Sequence, residues 1–90
     1  MRLFVATFRP VGSPDPDIYL ATTEKKAQEL LVEQMRDYLY GKSYGEYEDI
    51  TDDYDDLVDI GWNLEYFYVD IGSYKVHSDE HILKHVMETI

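Results

Sequence analysis

The first twenty residues show a pattern typical of a β-hairpin with a stiff connection. The run "RLFVATF", from Arg2 to Phe8, mixes β-branched and aromatic residues and predicts a short strand. It is followed by "RPVGSPDPD", which holds three prolines and one glycine in nine residues and predicts a rigid loop. The next run, "IYLA" from Ile18 to Ala21, predicts a return strand. We therefore expect an antiparallel hairpin at this end of the chain.

The strongest helical pattern lies in "TTEKKAQELLVEQMRDYLYG". Thr22 or Thr23 is suited to cap its start, and Glu24 would lie near the positive end of the helix dipole. Gly41 is expected to end the helix in the left-handed conformation. Apolar residues recur at helical spacing, with one polar gap at Gln34, and these positions are Ala27, Leu30, Leu31, Met35, Tyr38 and Leu39.

A second, acidic helix is predicted within "GEYEDITDDYDDLVD", which we call the acidic segment. It runs from Gly45 to Asp59 and contains eight carboxylates and no basic residue. Thr51 is the expected N-cap, with Asp52 and Asp53 in the first turn. An apolar stripe at spacings of three and four comprises Ile50, Tyr54, Leu57, Val58 and Gly61. The carboxylates of Asp52, Asp55, Asp56 and Asp59 fall on the other side, so we expect a short amphipathic helix docked by one face.

The remaining pattern completes an α+β fold. The run "NLEYFYVDI", from Asn63 to Ile71, predicts a strand in the centre of the sheet. Gly72 and Ser73 then suggest a turn or bulge, after which "YKVH" continues or pairs back. A final helix, "SDEHILKHVMETI", is expected to be capped by Ser78. We predict one globular domain over residues 1–90, with a small, mostly antiparallel sheet (the hairpin plus a strand near 63–71) and about three helices packed on one face.

The charge of the chain is concentrated in its middle third. The formal net charge is -11, yet residues 1–42 hold six acids and six bases. Residues 43–74 hold ten acids and no base. Hydrophobic residues make up 44% of the chain and there are nine tyrosines, a composition that favours a folded domain over a disordered acidic tail.

The composition also excludes several kinds of chemistry. Without cysteine there are no disulfides, zinc-thiolate sites or cysteine nucleophiles. No apolar run approaches the roughly 20 residues that span a bilayer, and the N-terminal run is too short for a signal peptide. We expect no membrane association and a cytoplasmic location, which would be the host cell cytoplasm if the protein is phage-encoded.

Neither a catalytic nor a metal site is predicted. The chain has no G-x-S-x-G, no phosphate-binding glycine loop and no H-E-x-x-H. His81 and His85 would share one face of the final helix, with His77 before its cap, but a solvated face explains them better than a metal. A calcium loop with Gly61 at its sixth position would place Val58 where an oxygen ligand is needed. We therefore expect a protein that is not an enzyme and has no cofactor.

The acidic segment is better suited to a cationic partner than to nucleic acid. Nucleic-acid affinity comes mainly from cations that neutralise phosphates, and residues 43–74 would repel them. A rigid array of carboxylates would instead be attracted to a basic groove, as a decoy for a nucleic-acid strand. Tyr44 and Tyr47 would add buried contact area, whereas four other tyrosines are expected in the core, namely Tyr38, Tyr54, Tyr66 and Tyr68. The candidate partner-binding residues are Tyr44, Glu46, Tyr47, Glu48, Asp49, Asp52, Asp53, Asp55, Asp56 and Asp59.

In size and charge placement, a domain of this length with "EYEDITDDYDDLVD" on one side resembles the small acidic inhibitors of phages and mobile elements. These include anti-CRISPR and anti-restriction proteins that mimic nucleic acid. The resemblance implies a non-enzymatic inhibitor that sterically blocks a CRISPR effector or a defence nuclease, and it assigns no individual residues. The implied partner is a basic nucleic-acid-binding protein or complex, bound by a monomer or homodimer.

Two alternatives stay open. The run "YGEYEDITDDYDDL" followed by "LEYFYVDI" resembles the acidic inhibitory helix and next strand of barstar-like nuclease inhibitors, over about the middle third of the chain. That resemblance implies an immunity or antitoxin-type protein that inhibits one cognate basic nuclease toxin. The other alternative is a small phage protein with no inhibitory role, whose function would not depend on the acidic helix.

Overall fold

The computed structural model describes residues 2–75, which form an antiparallel sheet with helices on one side. The predicted C-terminal helix from Ser78, together with His77, His81 and His85, lies outside the described residues. The α+β class is confirmed, and residues 2–75 contain two α-helices and one short 3-10 helix. The elements are β1 (Arg2–Pro10), β2 (Asp17–Ala21), α1 (Glu24–Gly41), the 3-10 helix Tyr47–Asp49, α2 (Tyr54–Asn63) and β3 (Phe67–Lys75).

Strand β1 is the centre of the three-stranded sheet, which has the order β2-β1-β3. Its pairing with β2 is antiparallel and places Phe4 opposite Ala21, which confirms the predicted hairpin. Its pairing with β3 is also antiparallel and places Ala6 opposite Ile71. The prediction of a central strand after residue 63 is wrong for this sheet, because β3 pairs only with β1 among the described residues. The first strand is the one that gains two neighbours.

The core lies between one face of this sheet and the two α-helices. Side chains alternate between the faces of a strand, so Phe4, Ala6 and Phe8 of β1 point the same way. All three pack in a cluster that includes Leu31 of α1 and Leu57 of α2, both with 0% exposure. The expectation that the helices pack on one face is therefore confirmed for α1 and α2.

Helix α1 begins where the sequence predicts but ends differently. The Thr23 hydroxyl accepts a hydrogen bond from the Lys26 amide at 3.1 Å, as expected of an N-cap. Gly41 does not adopt the left-handed conformation; Ser43 does, with φ of 59°. The Tyr44 amide then donates to the Leu39 carbonyl at 3.0 Å, which closes a Schellman motif. The helix continues through Gly41 because this six-residue turn satisfies its last carbonyls further along.

The end of α2 repeats this motif and shifts the following strand. Glu65 is left-handed, with φ of 57°, and the Tyr66 amide donates to the Gly61 carbonyl at 3.0 Å. Asn63 is therefore helical, and the strand predicted from residue 63 begins only at Phe67. No turn or bulge occurs at Gly72 and Ser73, since both pair in register with β1 and β3 continues to Lys75.

Helix α2 approaches the sheet closely at one glycine. Gly61 is buried against the ring of Phe67, which is itself 1% exposed. A Cβ atom at residue 61 would overlap carbons of that ring. The missing side chain thus sets how near the acidic helix lies to β3.

Candidate functional site

All the carboxylates of the acidic segment are exposed to solvent. Within residues 2–75 none of them takes part in an ion pair, and the ion pair found there joins Lys26 to Glu29 at 3.9 Å. A dense negative charge is therefore presented without internal neutralisation in the described part of the chain. The exposed acids are Glu46, Glu48, Asp49, Asp52, Asp53, Asp55, Asp56 and Asp59.

The acidic helix starts later than the sequence predicts. Its N-cap is Asp53, whose Oδ2 accepts a hydrogen bond from the Asp56 amide at 3.0 Å. Thr51, the predicted cap, instead accepts from the Asp53 amide at 3.1 Å and shapes the turn before the helix. Asp52 and Asp53 thus precede α2, and Asp55 and Asp56 occupy its first turn. The local sequence offers two capping residues two positions apart, Thr51 and Asp53, and the helix begins after the aspartate.

Arg36 of α1 holds the start of the acidic segment in place. Its Nη2 atom donates to the carbonyl oxygens of Tyr47 and Ile50, at 2.9 and 3.2 Å. The guanidinium carbon also lies 4.3 Å from the centre of the Tyr47 ring, a cation–π contact. Ile50 is buried at 3% exposure, so a polar clamp and an apolar anchor act at the same point. Local sequence patterns do not predict this contact, because its partners lie 11 and 14 residues from Arg36 in the chain.

Seven of the ten candidate residues line one of two depressions, and Glu46, Tyr47 and Glu48 line neither. One, of about 410 Å³, has walls that include Tyr44, Asp49, Asp56 and Asp59, and we call these four residues the acidic face. The other, of about 520 Å³, lies between α1 and the start of α2. Its walls include Asp52, Asp53 and Asp55 together with Lys25 and Glu29. The charged residues that line the first depression are all acidic, whereas Lys25 borders the second.

The tyrosines near the site have different roles. Tyr44 is 47% exposed, and the Schellman motif fixes its backbone at the end of α1. Tyr47 is half-buried between Arg36 and Tyr40, with its ring 5.9 Å from that of Tyr40, so much of its surface is already used. Tyr68, which we expected in the core, is exposed at 41%. The other tyrosines predicted to be in the core are half-buried against it, and these are Tyr38, Tyr54 and Tyr66.

Trp62 is an exposed residue that sequence reasoning did not select. It is 66% exposed, and its ring stacks edge-on against Tyr68 with the centroids 5.2 Å apart. The available signal was its spacing, since it follows Asp55 by seven residues and Asp59 by three. Residues separated by three, four or seven positions share a face of a helix.

Tyr54 lines the second depression and adds no charge to it near neutral pH. Burial raises the pKa of Tyr54, and the neighbouring charges of Asp55, Asp70 and Glu24 raise it further. Burial likewise raises the pKa of Tyr19, with Asp17 and Glu33 as lesser causes. Both phenols therefore stay protonated to a higher pH than an ordinary tyrosine.

Residues 2–75 contain no group of three or more His, Cys, Asp or Glu side chains arranged to hold a metal ion. In that same part of the chain, neither helix combines the length and apolar character needed to cross a membrane. In comparisons with known proteins, no family model, curated protein or solved structure matches this chain.

Proposed function

We propose that the protein is a non-enzymatic inhibitor whose acidic surface blocks the basic nucleic-acid-binding site of a target protein, such as a CRISPR effector or a defence nuclease. One observation carries this proposal. Eight carboxylates within the acidic segment are exposed, and none of them has an ion-pair partner in residues 2–75. An uncompensated surface of this kind is what a groove lined with lysine and arginine would attract.

The charge spacing supports a nucleic-acid decoy. Asp55, Asp56 and Asp59 lie within about 6 Å along the helix axis, at 1.5 Å per residue. A single nucleic-acid strand carries one charge per roughly 3.4 Å, so the two charge densities are similar. Such a surface gains association rate from long-range attraction and loses affinity as salt rises. Tyr44, the aromatic member of the acidic face, supplies apolar contact area beside the charges.

The rigidity of the support also favours binding. Arg36 clamps the segment before α2, and Asp53 caps the helix. Leu57 and Gly61 hold the opposite side of α2 in the core. A surface that is already ordered loses less conformational entropy on association than a flexible acidic tail would.

The test compares two variants with the same change in net charge. The first is Asp52→Asn/Asp55→Asn/Asp56→Asn/Asp59→Asn, which neutralises part of the acidic surface and keeps the Asp53 cap. The control is Asp15→Asn/Asp17→Asn/Glu33→Gln/Asp37→Asn, which neutralises four exposed acids outside both depressions. Each protein is used to capture partners from a host lysate at low salt. The captured protein is then purified, and its binding to labelled DNA or RNA is titrated with each variant.

We expect the native protein and the control to displace the nucleic acid and the first variant to lose most of this ability. Equal displacement by both variants would refute an acidic decoy. Capture of one dedicated nuclease toxin, inhibited in the same way, would instead favour the immunity-protein alternative. Capture that no variant affects, with no displacement of nucleic acid, would favour a phage protein without an inhibitory role.

A further inference from the structure

Trp62 extends the exposed side of the acidic helix with an aromatic surface. On a helix of 3.6 residues per turn, Trp62 lies about 20° around the axis from Asp55 and about 60° from Asp59. These three side chains therefore share one exposed face of α2, with Trp62 nearest the helix end. Trp62 has the largest exposed fraction among the exposed large hydrophobic residues of the described chain, at 66%.

The Trp62 ring is held in position although it is exposed. Tyr68 of β3 contacts it edge-on, with 5.2 Å between the ring centroids. Beneath the pair lies a small cavity of about 80 Å³ with Val58, Phe67 and Val69 in its walls. One side of the indole is supported by the protein and the other remains available, which is the arrangement of an interface residue more than of a core residue.

We propose that Trp62 is a contact residue for an arginine of the basic partner, whose guanidinium stacks on the indole while it pairs with Asp59 or Asp55. This inference rests on the proposed function and names a chemical preference within it. Tryptophan offers the strongest cation–π surface among the side chains, and the planar guanidinium stacks on aromatic rings more readily than an ammonium. The carboxylates of Asp59, one turn away, and Asp55, two turns away, offer acceptors for its N–H groups.

Charge complementarity favours an arginine over a second copy of this chain as the group that covers Trp62. Residues 43–74 contain no basic residue, so the stretch of chain around Trp62 supplies carboxylates and no cation. Arg9 of β1 lies opposite Tyr68, but within residues 2–75 neither cation–π contact involves Trp62. A second copy of the chain would bring another net charge of -11 to the same place. An arginine satisfies both the exposed ring and the adjacent carboxylates.

The test uses labelled octa-arginine and octalysine peptides as probes of equal charge. Binding to each is measured by fluorescence anisotropy for the native protein, Trp62→Leu and Tyr74→Ala. Leucine keeps apolar bulk and removes the aromatic face. Tyr74 is a matched control because it is also an exposed aromatic, at 58%, and belongs to β3 and not to α2. Trp62 is the sole tryptophan of the chain, so the emission of the native protein reports directly on its surroundings.

We expect Trp62→Leu to weaken octa-arginine binding about two- to fivefold, the range of an exposed cation–π contact. Octalysine binding should change less, Tyr74→Ala should bind both peptides like the native protein, and saturation with octa-arginine should alter the native emission. The inference is overturned if the emission stays constant at saturation, if Trp62→Leu binds octa-arginine as tightly as the native protein, or if it weakens both peptides equally. It is also overturned if native protein forms dimers that Trp62→Leu abolishes, since a second copy would then cover the ring.

Failure of the proposed function is distinguishable from these outcomes. The variant in which Asp52, Asp55, Asp56 and Asp59 are changed to Asn is titrated with the same two peptides. If it binds both peptides as tightly as the native protein does, the electrostatic basis of the proposed function fails, and this inference fails with it. If it binds more weakly while Trp62→Leu does not, only the role of Trp62 is refuted.

Discussion

Replacing Arg36 by methionine should destabilise the whole domain and loosen the start of the acidic segment most. The change removes two hydrogen bonds from a charged donor, to the carbonyls of Tyr47 and Ile50. Hydrogen bonds of this kind contribute about 1.5–3 kcal/mol each. The cation–π contact with Tyr47 adds about 0.5–1 kcal/mol.

One term opposes these contributions. The Nε atom of Arg36 is buried and has no hydrogen-bond partner within residues 2–75, which costs about 1–3 kcal/mol. Methionine would relieve this cost while it keeps much of the apolar packing. With the middle of each range, the net loss on substitution is about 3 kcal/mol, a large part of the roughly 5–15 kcal/mol that stabilises a typical domain.

The assay is urea unfolding followed by circular dichroism, with Arg9→Met as the control. Arg9 is exposed, so its loss should cost less than about 0.5 kcal/mol. Arg36→Lys keeps the charge but not the planar fork, and it should recover less than half of the loss. Hydrogen exchange should quicken first at the amides of Asp49 and Ile50, which close the 3-10 helix. Equal stability of Arg36→Met and Arg9→Met would refute the clamp.

Three further predictions follow from backbone and packing. In urea unfolding, Gly61→Ala should lower the free energy of unfolding by about 1–3 kcal/mol, because its methyl group overlaps the Phe67 ring. Phe67→Leu in the same chain should restore part of this loss. Unchanged stability of Gly61→Ala would contradict the close approach of α2 to Phe67. In the same assay, Glu65→Gly should gain about 0.5 kcal/mol, because glycine relieves the strain of a left-handed φ of 57°. The control Glu46→Gly, where φ is -64°, should lose stability. Equal losses in the two variants would contradict backbone strain at Glu65. Between pH 9 and pH 11, the free energy of unfolding of Tyr54→Phe should fall less than that of the native protein. The folded state raises the pKa of Tyr54 above its ordinary value of 10.0, so as the pH rises the phenol ionises first in the unfolded chain, which favours unfolding. Identical falls in the two proteins would show that folding does not raise this pKa.

The predictable parts of the fold are those encoded by neighbouring residues. The hairpin followed from two apolar runs around a proline-rich loop. The helix cap was narrowed to Thr22 or Thr23 by the helical stripe that follows, and the structure uses Thr23. The start of α2 was less certain locally, because Thr51 and Asp53 both have side chains able to cap a helix and both accept backbone hydrogen bonds here. The exposure of the aspartates also followed from helical spacing.

The parts that failed depend on residues distant in sequence. The central strand could not be identified from "NLEYFYVDI", because strand order depends on which segments pair, and β1 pairs with both others. Arg36 donates to backbone carbonyls of another element, and every residue type has such a carbonyl, so the sequence does not indicate the partners. Trp62 was overlooked because an aromatic residue in a helical pattern is usually buried, and its exposure depends on where β3 places Tyr68.

The position of β1 has a consequence for how the chain acquires this structure during synthesis. Arg2 is opposite Lys75 and Pro10 is opposite Phe67, so the pairing of β1 with β3 joins residues that are 57 to 73 positions apart in the chain. The hairpin and α1 can form early from local contacts, but the central strand keeps one unpaired edge until β3 has left the ribosome. Pairings of such long range are slow because loop closure precedes any gain from contact. The acidic helix, which comes just before β3, is therefore fixed in place late, and its like charges discourage association between nascent chains whose β1 edge is still exposed.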